Sequence, residues 1–208
     1  MKDESIDKLM NIMERKYLYA GLLAPLVGLS GVTLAVIIHS SWFSFQNNAI
    51  SDLGRLGLEK NYILNMSLIL AGILGVFFAY GLLKESESIL KKLGACVFAA
   101  GLVSLILIGV FPEGTPPHNN VSLGFFLLTG FGILIIGIDA LMKVETRKFG
   151  IFTVLDFLIV WILALWAIRV FKGVAIPELI GVLGIVFWTY ALIFWRKFGI
   201  PSSSRIIL

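Results

Sequence analysis

Charge is scarce in this chain. Asp, Glu, Lys and Arg make up 14% of its 208 residues, against about a quarter in soluble domains. Beside a hydrophobic share of 58%, that scarcity excludes a water-soluble globule. Aqueous folding could not hide so much apolar surface, so a bilayer must serve as solvent. Cysteine is reduced to Cys96, in an apolar segment, which excludes an intramolecular disulfide framework. Histidine is reduced to His39 and His118. There is no basic run: the net charge of +4 is spread over short connections, so nucleic acid is not an expected partner and loop charge reports topology instead. The internal repeat common in transporters is missing, and so is any tight metal motif such as HExxH. The charged first residues run into a full-length span, not a short apolar region with a small-residue cleavage site, so no removable signal peptide is expected.

What is present is hydrocarbon in span-length pieces. A bilayer core needs about 20 mostly apolar residues per helix, and six stretches qualify: 18–39, 62–83, 93–111, 121–142, 149–171 and 176–195. Helix is the required form, because lipid offers no partners to backbone polar groups. The fold expected is an all-α, polytopic integral membrane protein, a six-transmembrane-helix bundle. The chain divides into an amphipathic segment 1–16, a membrane domain 17–197 and a short tail 198–208. Ile6, Leu9, Met10, Ile12, Met13 and Tyr17 repeat as a helical stripe, which predicts an N-terminal interfacial helix. Small residues four apart, such as Gly31 with Ala35, Ala71 with Gly75 and Ala95 with Ala99, permit close helix contact.

Lys and Arg sort the connections. The N-terminal segment carries Lys2, Lys8, Arg15 and Lys16, the second loop Lys84, Lys91 and Lys92, the fourth Lys143, Arg147 and Lys148, and the tail Arg196, Lys197 and Arg205. The remaining connections are poorer. The positive-inside rule therefore predicts a cell-membrane protein with both termini cytoplasmic and the first, third and fifth connections outside.

Two of those outward connections hold the clustered polar residues. One includes Asn48, Ser51, Asp52 and Gly54; the other includes Glu113, Pro116, Pro117, His118 and Asn119. His39 ends the first span at the same face. Two His and a carboxylate form a ligand set for catalytic zinc, so His39, His118 and Asp52 are candidate ligands for a divalent metal. Without metal, Asp52, His118 and Glu113 are candidates for acid–base chemistry. A third reading has Asn48, Ser51, Asn119 and Arg169 gripping a head group, and a fourth has all of these residues capping helix ends and loops. Ser51-Asp52-Leu53-Gly54 predicts an Asx-type turn with Gly54 at positive φ. Packing the two hairpins side by side should bring Asp52 and His118 into direct or water-bridged contact.

Three further ionisable residues lie in or near the apolar segments. Arg169 is expected near the outer end of the fifth span, within reach of Glu178, Glu113 or an anionic ligand. Asp139 precedes Lys143 by four residues, so an i,i+4 pair is expected. Asp156 lies about two turns inside the fifth span with no cation one turn away. A charge at that depth costs several kcal/mol unless paired. It should be protonated or hydrogen-bonded across helices, with Thr189 and Tyr190 as partners.

The run Asn48-Ala49-Ile50-Ser51-Asp52-Leu53-Gly54, then Asn65, Gly109-Val110-Phe111-Pro112 and His118-Asn119, resembles the prokaryotic family called domain of unknown function 998, over residues 17–195 at least. The resemblance implies a six-helix membrane protein of unassigned activity. More distantly, the Ile-Ser-Asp pattern and the later His resemble the damage-regulated autophagy modulators and the Golgi factor that remodels lipid on GPI-anchored proteins. That likeness implies lipid work and carries over to Ser51, Asp52, Gly54 and His118.

The function expected is binding or remodelling of a membrane lipid or other amphiphile at a polar extracytoplasmic site, with a lipid hydrolase or transferase as the enzymatic form. A small proton-coupled transporter using Asp156 and a non-catalytic membrane scaffold are the alternatives. A wide apolar crevice running into the polar site would favour the first, and a water-lined path from Asp52 to Asp156 the second. Topology is testable directly. A thiol placed by Thr115→Cys should react with an impermeant reagent from outside, and one placed by Glu145→Cys should not. The opposite pattern would put the polar loops in the cytoplasm.

Overall fold

A computed structural model describes residues 2–195, with side chains from Arg15 onward. The tail expected at 198–208 lies outside the described residues. Six helices follow one another: α1 Lys2–Ile38, α2 Tyr62–Lys84, α3 Ile89–Val110, α4 His118–Leu141, α5 Arg147–Val170 and α6 Ala175–Phe194. Each contains a span of 20 to 24 residues with mean hydropathy between 1.9 and 2.5. At 1.5 Å per residue that is about 30 Å or more, the thickness of a hydrocarbon core. The chain is an all-helical, multi-pass membrane protein. Among the described residues there is no strand; the remaining regular element is a short 3-10 turn, Ile50–Gly54.

The span boundaries follow the sequence closely, with two instructive shifts. Helix α3 starts at Ile89 because Ser88 caps it, its hydroxyl oxygen accepting from the Lys91 amide at 3.4 Å. Helix α4 starts at His118, directly after Pro116-Pro117. His118, Asn119 and Asn120 are therefore the first turn of a helix and not part of the loop. The N-terminal segment is helical, as its stripe predicts, and continuous with the first span, since α1 runs unbroken from Lys2 to Ile38.

Consecutive helices pack side by side, and α1 and α6 close the ring with far less contact than any sequential pair. The core lies where α2, α3, α4 and α6 meet, around Phe78, Leu82, Phe98, Ile133, Ile136 and Trp188. Lipid provides no hydrophobic drive between helices, so close approach through small residues does that work. Gly31 faces Ser67, Ala71 faces Gly28, and Gly132 lies under the Phe98 backbone. Helix α5 packs on α4 and α6 at the edge of the bundle and leaves most of its surface exposed. Its buried polar link is the Trp188 indole N–H donating to Thr153 Oγ1 at 3.1 Å.

The α3–α4 contact gives a stability prediction. A Cβ on Gly132 would lie 2.5 Å from the Phe98 backbone nitrogen, where backbone must move. Gly132→Ala should destabilise the protein by about 1–3 kcal/mol. Gly28→Ala, whose methyl would sit 3.4 Å from Ala71 Cβ, should be tolerated. Thermal unfolding of the two variants in one detergent checks this, and equal melting temperatures would contradict it.

Candidate functional site

The first, third and fifth connections meet at one end of the bundle. The lysine-bearing second and fourth connections lie at the other. Backbone bonds knit the three together: Leu56 N–H donates to Glu113 O at 2.8 Å, Gly173 N–H to Gln46 O at 2.9 Å and Ala175 N–H to Asn48 O at 2.8 Å. Beneath them Ile50 and Leu53 dip into a small apolar core with Ala35, Phe43, Leu64 and Ala175. The two motif segments thus build one site, and the loop before α6 is its third part.

The turn Ile50–Gly54 is the centre of this arrangement. Asp52 folds back on it: its Oδ2 accepts from Ala49 N–H at 2.8 Å and from Asn48 Nδ2 at 3.3 Å. Asn48 in turn accepts from Ser44 N–H at 3.0 Å through Oδ1. The expected forward Asx-type turn is not what closes this segment: Asp52 reaches back to the Ala49 amide as the third residue of a capping box, and Gly54 is not at positive φ; that conformation belongs to Gly57, Lys60 and Gly114. Gly54 is required for another reason. Asn65 presses against its Cα, and its Nδ2 donates to Gly54 O at 2.9 Å, so any side chain there would collide with the residue that anchors the turn.

His118 is held by its helix and by the loop before it. Its Nδ1 lies 2.8 Å from Phe111 O. A carbonyl can only accept, so Nδ1 carries the hydrogen and Nε2 is left for exchange chemistry. Glu113 Oε2 lies 3.0 Å from Nε2, and Ser122 Oγ lies 3.2 Å from it. Two groups therefore face Nε2, the Glu113 carboxyl and, one turn further along α4, the Ser122 hydroxyl. The imidazole is nearly closed off, at 4% side-chain exposure, while Glu113 at 34% reaches water. The same Glu113 Oε2 lies 3.5 Å from Ser51 Oγ. No described hydrogen bond joins Asp52 to His118; Ser51 and Glu113 stand between them.

Below this roof lies a half-open apolar cavity of about 140 Å³, lined by α1, α2, α3, α4 and α6. Its polar lining at the motif end is Ser51, Ser122 and Glu178; Thr189 lines it further along α6. Glu178 Oε2 accepts from Ile50 N–H at 2.6 Å, so α6 grips the same turn that Asp52 closes. Sequence reading treated Glu178 only as a partner for Arg169 and passed over Ser122. The missing signal was the one applied to Asp156: a carboxylate in a span with Val174, Ala175, Gly181 and Val182 at its i±3 and i±4 positions and no cation to meet it.

Several sequence expectations are redistributed. Among the described residues no three His, Cys, Asp or Glu side chains converge to hold a metal, so His39, His118 and Asp52 do not form the expected zinc set. His39 packs against Trp42, ring centroids 5.6 Å apart, and its buried Nε2 has no partner. Arg169 is exposed. Among the described residues the ion pairs are His118–Glu113 and Lys143–Asp139, so Arg169 pairs with neither Glu178 nor Glu113. Glu178 turns inward to the cavity while Arg169 sits on the rim. Asn119 is exposed. Asp139 meets Lys143 at 3.0 Å as its spacing predicts. Asp156 is half-buried and does not line the cavity. Its two expected partners are engaged elsewhere, the Thr189 hydroxyl with Ile185 O and that of Tyr190 with Leu22 O.

The family described as "protein of unknown function (DUF998)" matches residues 22–195, and the chain belongs to it. No curated protein and no solved structure matches the chain.

The turn geometry predicts how Asp52 responds to substitution. Asp52→Ala leaves the Ala49 N–H without its acceptor and should cost about 1 kcal/mol, in the range of lost helix caps. Asp52→Asn keeps an acceptor oxygen and should retain most of that stability. Thermal unfolding ranks the three proteins, and an alanine variant as stable as the original would contradict the assignment.

Proposed function

We propose that this member of the DUF998 family holds a membrane lipid or other amphiphile, its chain in the central cavity and its head at the polar motif end, on the extracytoplasmic side of the cell membrane. The observation that carries the reading is the cavity itself. It is apolar along the bundle and polar at one end, the profile of an amphiphile. An apolar void of about 150 Å³ stays dry and takes up apolar ligands when they are offered. Between helices of a bundle is also where such sites occur.

The groups at the mouth supply what a hydrolase or transferase acting on that amphiphile would use. His118 and Glu113 are paired through Nε2 and Oε2, and Ser122 reaches the same nitrogen from the cavity wall. Asp52, with Oδ2 committed to its turn, serves by positioning Ser51 and Ile50. The transporter reading depends on Asp156, which does not line the cavity, and the scaffold reading leaves the cavity without a role.

Trp188 is a built-in reporter. It is fully buried and packs edge-to-face on Phe98, ring centroids 5.4 Å apart, and Phe98 lines the cavity. In a protein whose other tryptophans are replaced by phenylalanine, ω-bromododecanol should quench Trp188 saturably. Val182→Phe, which fills the cavity from α6, should abolish that quenching. Absence of quenching in the unblocked protein, or equal quenching in both, would remove the amphiphile reading.

A further inference from the structure

The cavity has one titratable residue in its wall, Glu178. Of its two carboxyl oxygens, Oε2 accepts from Ile50 N–H at 2.6 Å. The other has no hydrogen-bond or ion-pair partner among the described residues, and it belongs to a side chain that lines the cavity. Glu178 is half-buried, and a carboxylate oxygen lining a largely apolar cavity favours a donor, which no described group of the protein supplies. No Lys or Arg lines the cavity. Of the two imidazoles at this face, His118 is engaged with Glu113 and His39 does not line the cavity, and the nearest turn closes on Asp52. The two remaining side-chain polar groups at this end, Ser51 and Ser122, are hydroxyls that can accept as well as donate.

We infer that Glu178 is the head-group anchor of the cavity and that the amphiphile it holds carries an ammonium group on a hydrocarbon chain. This rests on the amphiphile reading above and adds the chemistry of the head. An ammonium offers three N–H donors and no acceptor. It meets Glu178 with a charge-assisted bond and has the Ser51 and Ser122 oxygens beside it. An anionic head would face Glu178, Glu113 and Asp52 with no cation to receive it. An alcohol would satisfy the free oxygen without neutralising its charge. The chain then runs down α6 towards Thr189, eleven residues on, a length of about 16 Å. Thr189 is the weaker anchor, since its hydroxyl, which donates to Ile185 O at 2.8 Å, carries no charge for an ammonium to meet.

The test compares three probes of one length, ω-bromododecylammonium, ω-bromododecanol and ω-bromododecanoate, by Trp188 quenching in nanodiscs of zwitterionic lipid. The ammonium should bind about ten-fold more tightly than the alcohol, the scale of one hydrogen bond to a charged group, and the carboxylate most weakly. Glu178→Gln keeps an acceptor for Ile50 N–H, so it should fold; it should erase the preference for ammonium over alcohol. Should that variant not fold, the ranking of the three probes on the unaltered protein decides alone. Alcohol binding without an ammonium preference, or a preference that survives Glu178→Gln, would overturn the anchor and leave the amphiphile reading standing. No quenching by any probe would overturn both.

Discussion

The hydrogen bonds around the turn Ile50–Gly54 are the constraint on which the rest of the structure depends. A short stretch of non-helical backbone sits at the edge of hydrocarbon, where unpaired N–H and C=O groups are expensive. Each is met from a different direction. Asp52 closes the turn on Ala49, Asn65 of α2 holds Gly54, Glu178 of α6 takes the Ile50 amide, and Glu113 of the α3–α4 loop meets Leu56 and Ser51. The turn and the start of α2 are therefore fixed to two segments far away in the chain, the α3–α4 loop and α6, by a few residues. The ring of helices, loosest where α1 meets α6, is tied together at this end.

That dependence explains the form of the cavity. With the helix ends fixed, the gap between α1 and α6 is not closed by collapse, and glycines and alanines on α1 and α2 leave room beside it. Large side chains such as Phe78, Phe98 and Phe125 line the space without filling it. Polar atoms enter at the tied end because the tie itself is polar. The site and the scaffold share residues: Ser51 sits on the turn, Glu178 secures it, and Ser122 follows His118 by one helical turn.

The helical membrane architecture was legible because it rests on properties of single segments, namely apolar length, charge placement and the i,i+4 spacing of Asp139 and Lys143. The meeting of the two motif loops was legible from hairpin order. What escaped depended on direction in three dimensions. His118 moved from loop to helix because two prolines start α4 one turn earlier than hydropathy suggests. Gly54 proved necessary for contact with Asn65 and not for its backbone angle. Arg169 and Glu178 lie near each other's level in the bundle, but one faces the rim and the other the interior, a difference that depth alone does not encode. Asp156 was expected to find partners across the α5–α6 contact, where Trp188 and Thr153 make the polar link instead.

The central claim is that the cavity is a binding site and not a packing defect. Native mass spectrometry of the full chain released from nanodiscs formed with its own membrane tests this most directly. The account predicts a complex carrying one tightly held amphiphile, retained at activation energies that strip lipids from the outside of the bundle. A spectrum in which only the bare chain survives once the outer lipids are gone would contradict it.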